Sequence, residues 1–265
     1  QAGLDDALGR ALKSRLIAKA RGGICVFFLY DEIGCHKLPS RYINELRKAG
    51  VDVHPFGTTR GRGNRFQLNF RNHRKITVVD GKIGYVGGHN IGDEYMGRSR
   101  KFGHWRDTHL RIDGPSVRHL QMSFMRDWYF AARRFIPVNW DAATSRPEGT
   151  DLLILESGPA DSMYTCSLMF VLAIHMARER IWIASPYFIP NEAVSAALRT
   201  AALRGVDVRI MLPLKPDHRV VYLAGFSFMS ELDEPNIRFF RYEPGFLHQK
   251  AFVVDERLAM VGTAN

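Results

Sequence analysis

The sequence predicts an α/β fold made of two related halves, each with β-sheets flanked by helices. Three observations carry this prediction. An 18-residue pattern occurs twice, helices alternate with apolar strands in the same order ahead of each copy, and 46% of the 265 residues are hydrophobic. A chain of this length and composition can bury a substantial core, and alternating helices and strands are typical of sheets covered by helices. We therefore expect two halves related by pseudo-twofold symmetry.

The elements of the first half follow from local patterns. Residues 4–21 carry apolar residues at helical spacing, and the run CVFFLY after them predicts a buried strand. SRYINELRKAG predicts a helix capped by Ser40 and ended by Gly50, and VDVHPF predicts the next strand. RKITVVD and IGYVGG, joined by a turn at Asp80 and Gly81, then predict two paired strands.

The second half repeats this order. LLILESGP predicts a strand, and MYTCSLMFVLAIHMARERIWIASPYF predicts a helix followed by a strand. AVSAALRTAALRG and VVYLAGFSFMSELDE predict two further helices, each followed by a strand, VDVRIMLP and NIRFFRY. The second copy of the long pattern comes last.

The boundary between the halves is predicted near residues 139–151, a stretch that is poor in apolar residues and contains Pro147 and Gly149. We expect one half at residues 1–145 and the other at 146–265. Comparison of the two copies suggests that the first half lacks its N-terminal strand and helix, and that the second is truncated after the motif. The expected fold is thus truncated at both ends.

The repeated pattern has the form H-x-K-x4-D-x6-G-x2-N. Five residue types recur with a constant separation of 175 positions. The matched pairs are His73 and His248, Lys75 and Lys250, Asp80 and Asp255, Gly87 and Gly262, and Asn90 and Asn265. Such a duplication predicts that each half supplies one part of a single site.

The paired residue types indicate phosphodiester chemistry. On an extended chain, a histidine and a lysine two residues apart project from the same face. Two imidazoles and two ammonium groups at one site would repel a divalent metal but bind a phosphodiester, so we expect neither a metal nor another cofactor. One histidine would attack phosphorus to form a phosphohistidine, while the other would protonate the leaving alkoxide and later act as a base.

The remaining motif residues have supporting predictions. Lys75 and Lys250, with Asn90 and Asn265, would hold the non-bridging oxygens, and Gly88 and Thr263 are further candidate phosphate contacts. Asp80 and Asp255 are candidate catalytic residues that orient a histidine or lysine, or else cap the turn that follows. Five other histidines have no matched neighbours and are predicted to be structural or surface residues: His54, His109, His119, His175 and His218.

Net charge and hydropathy restrict the classes of partner that the protein is expected to bind. The formal net charge of +10 favours an anionic partner such as a membrane surface, a phosphorylated substrate or nucleic acid. No apolar run approaches the 18 or so residues that a membrane span requires. The three cysteines are far apart and form no C-x-x-C pair, which is typical neither of a disulfide framework nor of a zinc site.

Four segments of the sequence resemble a known family of proteins. The stretches FRNHRKITVVDGKIGYVGGHNIGDEYMG, HWRDTHLRIDGP, SPYFIPN and FLHQKAFVVDERLAMVGTAN closely resemble bacterial cardiolipin synthases of the phospholipase D superfamily. The resemblance implies a phospholipase D-like fold and metal-independent transfer of a phosphatidyl group between two phosphatidylglycerol molecules. It implies His73 as nucleophile and His248 as general acid, whereas the residues alone leave the two nearly symmetric. It also implies contact with an anionic membrane, the bacterial inner membrane for the full-length parent, and indicates no obligatory protein partner.

Alternatives remain open from the sequence. Family members carry a supporting carboxylate beyond the equivalent of Asn265, so Asp93, Glu94 and Asp107 are candidates for that role, or else solvated loop charges. A phosphodiesterase hydrolysing phospholipid or nucleic acid is the runner-up, and a catalytically silent phospholipid-binding fragment is the third possibility. Nucleic acid is disfavoured because only RFFRY interleaves basic and aromatic residues. FGHW, YFIP and YEPGF would line an apolar substrate rim or pack in the core.

Overall fold

The structure is a computed structural model of the chain. It describes residues 5–57, 72–141, 148–158, 161, 163–215, 217, 219–232 and 236–264, without the side chains of 219–221. The chain forms two compact units. The first contains residues 1–85, 90–98 and 111–154, and the second contains residues 86–89, 99–110 and 155–265.

The first unit contains three helices and a parallel strand pair among its described residues. In chain order the elements are α1 (Ala7–Arg21), β1 (Phe27–Asp31), α2 (Ser40–Lys48), β2 (Asp52–Phe56), β3 (Ile76–Val79) and α3 (Val117–Ala132). β1 pairs with β2 in parallel. β3 belongs to a three-stranded sheet with β4 (Ile83–Gly87) and β6 (His109–Asp113), in the order β3-β4-β6.

Strand β1 is apolar on both sides because helices cover both of its faces. Phe28 and Tyr30 pack in a cluster with Leu46 of α2, whereas Phe27 and Leu29 pack with Trp128 of α3. Alternating side chains of a strand point to opposite faces, so the run CVFFLY supplies both contacts. Each large apolar side chain buried in this way contributes about 1.5–3 kcal/mol.

The ends of α2 correct one prediction and explain another. The helix begins at Ser40, so the predicted Ser40 cap is wrong. Pro39 occupies the capping position with no side-chain hydrogen bond. Gly50 follows the helix with φ of 91°, a left-handed conformation that glycine adopts at little cost, and this agrees with its predicted place at the helix end.

The second unit is built on a five-stranded mixed sheet in the order β12-β11-β7-β8-β9. Its elements are β5 (His104–Arg106), α4 (Thr165–Met176), β7 (Arg180–Ala184), α5 (Glu192–Leu203), β8 (Asp207–Pro213), α6 (Arg219–Glu231), β9 (Ile237–Tyr242), β10 (Gly245–Leu247), β11 (Ala251–Val254) and β12 (Leu258–Val261). β7, β8 and β9 are parallel, and β11 runs antiparallel to β7 and β12. β10 and β5 form a separate parallel pair.

The core of the second unit lies between this sheet and its helices. Ile181, Ile210 and Phe252 from the sheet are buried with Ile174 of α4 and Leu198 of α5. Parallel strands joined by helices place those helices on the sheet, which explains the near-continuous apolar character of β7 and β8. The predicted α/β fold with sheets flanked by helices is confirmed.

Two parts of the chain differ from the sequence prediction. LLILESGP was expected to form a strand, but residues 152–158 contain none. Leu152 and Leu153 are exposed there, so the apolar run lacks a pairing partner and a sheet face to cover. The elements β5, β6 and α3 were not predicted. No helix among the described residues is long and apolar enough to cross a membrane.

Candidate active site

The first motif places a lysine against its histidine. Lys75 Nζ donates to the backbone oxygen of His73 at 2.6 Å and lies 3.2 Å from its Nδ1. Both side chains are half-buried just before β3. The predicted neighbourhood of His73 and Lys75 is therefore present in the first unit.

Asn72 and Arg74, which alternate with His73 and Lys75, are held by α3. Asn72 Nδ2 donates to one carboxylate oxygen of buried Asp127 at 2.6 Å, and Arg74 donates to the other at 2.6 Å. Contacts alternate along the segment: positions 72 and 74 bind the helix, while 73 and 75 contact each other. Sequence reasoning missed Asp127, although FRNHRK already combined an amide and a guanidinium on alternate positions around His73.

The second motif is buried. His248 and Lys250 have exposed fractions of only 7% and 6%. Lys250 Nζ donates to the backbone oxygen of His248 at 2.7 Å and lies 3.0 Å from its Nε2. The His248 backbone N–H donates to the oxygen of Arg106 at 2.8 Å, which continues the pairing of β10 with β5. Backbone bonds thus hold His248 beside the segment that carries Asp107.

Asp107 binds the ring nitrogen of His248 that faces away from Lys250. Its Oδ2 lies 2.7 Å from His248 Nδ1, its Oδ1 accepts from the Thr108 N–H at 2.8 Å, and its side chain is fully buried. An ionised carboxylate can only accept, so Nδ1 carries the proton and Nε2 becomes the reactive nitrogen. Among the three predicted supporting carboxylates, this is the one that the structure brings to a motif histidine.

The pKa values of Asp107 and Lys250 are lowered for identifiable reasons. Burial would raise the pKa of Asp107, but the hydrogen bond and charge of His248, the Thr108 N–H and the charge of Lys250 together hold that pKa below its usual value. Burial lowers the pKa of Lys250 from 10.5 to about 8, against the opposing charges of Asp107 and Asp217. The buried lysine therefore titrates close to neutral pH.

Gly88 makes room for the carboxylate. A Cβ placed at this position would lie 2.0 Å from Asp107 Oδ1, a distance that no packed pair of atoms adopts. The Gly88 N–H donates to the Thr108 oxygen at 3.0 Å. The sequence predicted Gly88 as a phosphate contact, but in the second unit it contacts the segment that carries Asp107.

Aromatic side chains surround His248. The rings of Trp105 and His248 are centred 5.2 Å apart, and Phe246 packs 4.7 Å from Trp105. Trp105 and Phe246 are buried, so FGHW and YEPGF supply core packing at these positions rather than an open rim. In YFIP, Phe188 is buried and Ile189 is exposed.

The motif aspartates lie at turns. Asp80 and Asp255 adopt left-handed conformations with φ of 53° and 51°. Asp255 accepts hydrogen bonds from three consecutive backbone N–H groups, Arg178 at 3.1 Å and Glu179 and Arg180 at 3.0 Å each. These contacts tie the β11–β12 turn to the start of β7, which is a structural role rather than the orientation of His248 or Lys250.

Other predicted residues take separate positions. Asp93 accepts from the N–H groups of Ala7 and Leu8 at the start of α1, beside the capping residue Asp6, and Glu94 lies with Asp93 on a 3₁₀ turn. Asn90 Nδ2 donates to the Tyr95 hydroxyl at 2.7 Å. Thr263 is half-buried just after β12, and Asn265 lies outside the described residues.

Two histidines predicted to be structural have defined neighbours. His54 lies 3.1 Å from an Asp52 oxygen and packs edge-on against Trp128. His109 lies beside His89, with ring centres 5.9 Å apart, and burial and the His89 charge lower its pKa although Asp107 opposes this. No group of three or more potential metal ligands occurs among the described residues.

Comparison with known proteins identifies the family. A family model described as cardiolipin synthase, PLD-like domain, matches residues 170–265. Cardiolipin synthase A of Pseudomonas fluorescens is 54% identical over 261 residues, 98% of this chain. The chain belongs to the phospholipase D superfamily. Cardiolipin synthase A of Pseudomonas syringae is similar at 55% identity over 262 residues. The chain spans about half the length of these curated relatives, 54% of each.

Two solved structures share the fold of this chain at low sequence identity. A polyphosphate kinase from Porphyromonas gingivalis superposes with a TM-score of 0.59 and 14% identity, covering 96% of this chain and 38% of that chain. A phosphatidylserine synthase from Haemophilus influenzae gives a TM-score of 0.51 and 13% identity, covering 92% and 74%. At these identities, both comparisons concern the fold alone.

Proposed function

We propose that the protein is a phosphatidyltransferase that makes cardiolipin and glycerol from two phosphatidylglycerol molecules through a phosphohistidine. The observation that carries the proposal is the buried hydrogen bond between Asp107 and His248, with Lys250 beside the other ring nitrogen. It orients an imidazole for proton transfer at Nε2. The similarity to cardiolipin synthases supports the choice of phosphatidylglycerol as substrate.

In the first step, His73 attacks the phosphorus of one phosphatidylglycerol. A phosphorus–nitrogen bond forms and the phosphorus–oxygen bond to the glycerol headgroup breaks. His248, protonated on both nitrogens, gives the Nε2 proton to the departing alkoxide, and glycerol leaves. Transfer of this proton avoids the release of a strongly basic alkoxide.

In the second step, the headgroup hydroxyl of another phosphatidylglycerol attacks the phosphohistidine. His248 accepts the hydroxyl proton at Nε2, the new phosphorus–oxygen bond forms, and the phosphorus–nitrogen bond to His73 breaks. Cardiolipin leaves and both histidines return to their starting states. The charge of Asp107 stabilises the imidazolium that this cycle requires.

Lysines and amides would stabilise the phosphoryl group. In the absence of substrate, Lys250 lies beside Nε2 of His248, where its ammonium would oppose a second proton. We expect a bound phosphate oxygen to draw this ammonium away and allow His248 to become an acid. Lys75 and Asn90, with Asn265 and Thr263, would bind the remaining oxygens.

The proposed partner is an anionic phospholipid in a membrane surface, which agrees with the net charge of +10. The bacterial inner membrane is the expected location of this activity. No protein partner is required by the mechanism.

The decisive experiment identifies products and the covalent intermediate. Purified protein with phosphatidylglycerol vesicles should give cardiolipin and glycerol by mass spectrometry. Phosphatidic acid as the main product would instead indicate a phospholipid hydrolase, and cleavage of single-stranded DNA without lipid turnover would indicate a nuclease.

The histidine roles are separated by a donor with a good leaving group. With phosphatidyl-p-nitrophenol, His248→Asn should release a burst of p-nitrophenol and retain the phosphatidyl group on the peptide containing His73, because this leaving group needs no proton. His73→Asn should release none. A phosphatidyl group found on His248 of the unaltered protein would reverse the assignment.

Metal independence is tested in the same assay. Cardiolipin formation should be unchanged by EDTA, because the proposed charge stabilisation comes from lysines and amides. Inhibition by EDTA that an added divalent ion restores would contradict the mechanism.

A further inference from the structure

The outer face of α3 and the turn after it form an exposed aromatic surface, which we call the α3 patch. It consists of Met122, Tyr129, Phe130, Arg133 and Phe135. The exposed fractions are 44% for Met122, 42% for Tyr129, 49% for Phe130 and 72% for Phe135. An exposed group of large apolar side chains on one surface is a candidate site for binding another body.

Ring and cation contacts hold the α3 patch in shape. The rings of Tyr129 and Phe135 stack at 4.7 Å, and the Arg133 guanidinium lies 5.4 Å from the ring centre of Phe130. Arg133 has φ of 56°, which ends α3 and turns the chain so that Phe135 reaches Tyr129. Because the side chains are already ordered by one another, binding through them costs less conformational entropy.

The segment that carries the α3 patch has an excess of positive charge. Between Arg126 and Trp140 the sequence contains a single carboxylate, Asp127, which is buried and bonded to Asn72 and Arg74. Arg126 and Arg133 are exposed. Arg134 is also exposed and pairs with Asp52. With three arginines and one aspartate, residues 126–140 carry an excess of positive charge, and the arginine within the α3 patch is Arg133.

A second exposed apolar surface, on α4, has no arginine or lysine within its own helix. Leu168, Leu172 and Met176 recur every fourth residue along α4 with more than half of their surfaces exposed. Residues 163–177 contain neither arginine nor lysine. Nothing on α4 specifies what would cover it, whereas arginine beside aromatic rings fits the boundary between lipid headgroups and acyl chains.

We infer that the α3 patch docks onto an anionic lipid bilayer. Phe130 and Phe135 would enter the headgroup boundary, Tyr129 would keep its hydroxyl in water, and Arg133 would bind a lipid phosphate. The inference concerns adsorption to a membrane and does not depend on turnover. Docking would be selective for anionic over zwitterionic lipid and would weaken as salt screens the arginines.

A matched pair of double variants tests the inference. Phe135→Ser with Arg133→Asn removes one aromatic ring and one charge from the α3 patch, and asparagine tolerates the left-handed conformation of position 133. Leu172→Ser with Arg178→Asn removes one exposed apolar side chain and one exposed arginine elsewhere. Circular dichroism and thermal unfolding would show whether both variants keep the native fold.

The measurement is sedimentation with vesicles of phosphatidylglycerol or phosphatidylcholine. We expect the variant of the α3 patch to partition about thirtyfold more weakly onto phosphatidylglycerol vesicles, because it loses one charge and one buried ring. The α4 control should partition within about threefold of the unaltered protein, as expected for surface changes outside the docking face. Equal losses in the two variants, or no loss in the first, would overturn the inference.

Other occupants of the α3 patch give different results. A change in sedimentation coefficient without loss of vesicle binding would assign the surface to a second copy of the chain and overturn the inference. Loss of binding to a single-stranded oligonucleotide with unchanged vesicle binding would assign it to nucleic acid, also against the inference. Turnover of dispersed short-chain phosphatidylglycerol separates docking from catalysis. The patch variant should retain this turnover. If the unaltered protein showed no such turnover, the result would count against the proposed function alone.

Discussion

Replacing Asp107 with asparagine tests the central interaction of the proposed site. The substitution preserves the size of the side chain but removes the charge that stabilises the His248 imidazolium. Asp107 Oδ2 is 2.7 Å from His248 Nδ1 and the carboxylate is fully buried, so water cannot replace it. We expect Asp107→Asn to fold and to lose most of its cardiolipin formation.

The magnitude follows from the geometry. Two unit charges about 4 Å apart attract by about 4 kcal/mol at an effective dielectric constant of about 20. If about half of the imidazolium charge is developed in the transition state, the barrier rises by about 2 kcal/mol, and full development would give about 4 kcal/mol. Because about 1.4 kcal/mol corresponds to a tenfold change in rate, kcat should fall between about thirtyfold and a thousandfold.

The assay compares two donors. Asp107 acts through His248, so the loss should be large with phosphatidylglycerol and much smaller in the burst with phosphatidyl-p-nitrophenol, whose leaving group needs no acid. Asp113→Asn, at an exposed carboxylate paired with Arg111, is the control and should behave like the unaltered protein. Activity of Asp107→Asn within threefold of normal on phosphatidylglycerol, or an equal loss on both donors, would refute the reasoning.

Four further predictions concern Gly88, Lys250 and Asp255. Gly88→Ala should displace the Asp107 carboxylate and lower kcat about as much as Asp107→Asn, and normal turnover would show that the contact can relax freely. Lys250 has a pKa lowered to about 8, so kcat/KM should decline above about pH 8 as its charge is lost, and Lys250→Arg should remove that alkaline decline. Between about pH 8 and 10.5, unfolded Lys250 binds a proton that folded Lys250 has largely lost. The free energy of unfolding, measured by denaturant titration, should therefore rise with pH over this range. The rise should be smaller in Lys250→Met. Asp255→Ala should lower the free energy of unfolding by about 1–2 kcal/mol through loss of its backbone contacts, while kcat of the folded fraction stays near normal.

Local patterns were sufficient to predict most helices and strands. β1, β7 and β8 appear in the sequence as short apolar runs bounded by helices. In the structure both faces of β1 are covered, whereas β7 and β8 bury one face and leave Trp182 and Met211 of the other face partly exposed. The same reasoning failed at LLILESGP, since apolar composition does not supply a neighbouring strand. The helix α3 was not predicted, although VRHLQMSFMRDWYFAA has apolar residues at helical spacing.

The motif also predicted its own local contacts, because they depend on residues two positions apart. Each lysine contacts the backbone oxygen of its histidine, as expected for side chains on one face. The sequence could not show which distant carboxylate contacts a motif histidine. Asp93 and Asp107 were equal candidates in sequence, and only folding shows that one lies at the start of α1 while the other meets His248, 141 residues away.

The contact of His248 with Asp107, a residue outside the repeat, explains how a duplicated motif can support unequal chemistry. The two copies share residue types and turn conformations, and in both the lysine contacts its own histidine. They differ at Nδ1, where Lys75 approaches His73 but Asp107 binds His248. A positive neighbour disfavours a proton on the imidazole, which suits a nucleophile, whereas a carboxylate favours it, which suits an acid. Residues outside the repeat therefore provide a physical basis for the proposed division of labour, because the repeat itself treats the two histidines alike.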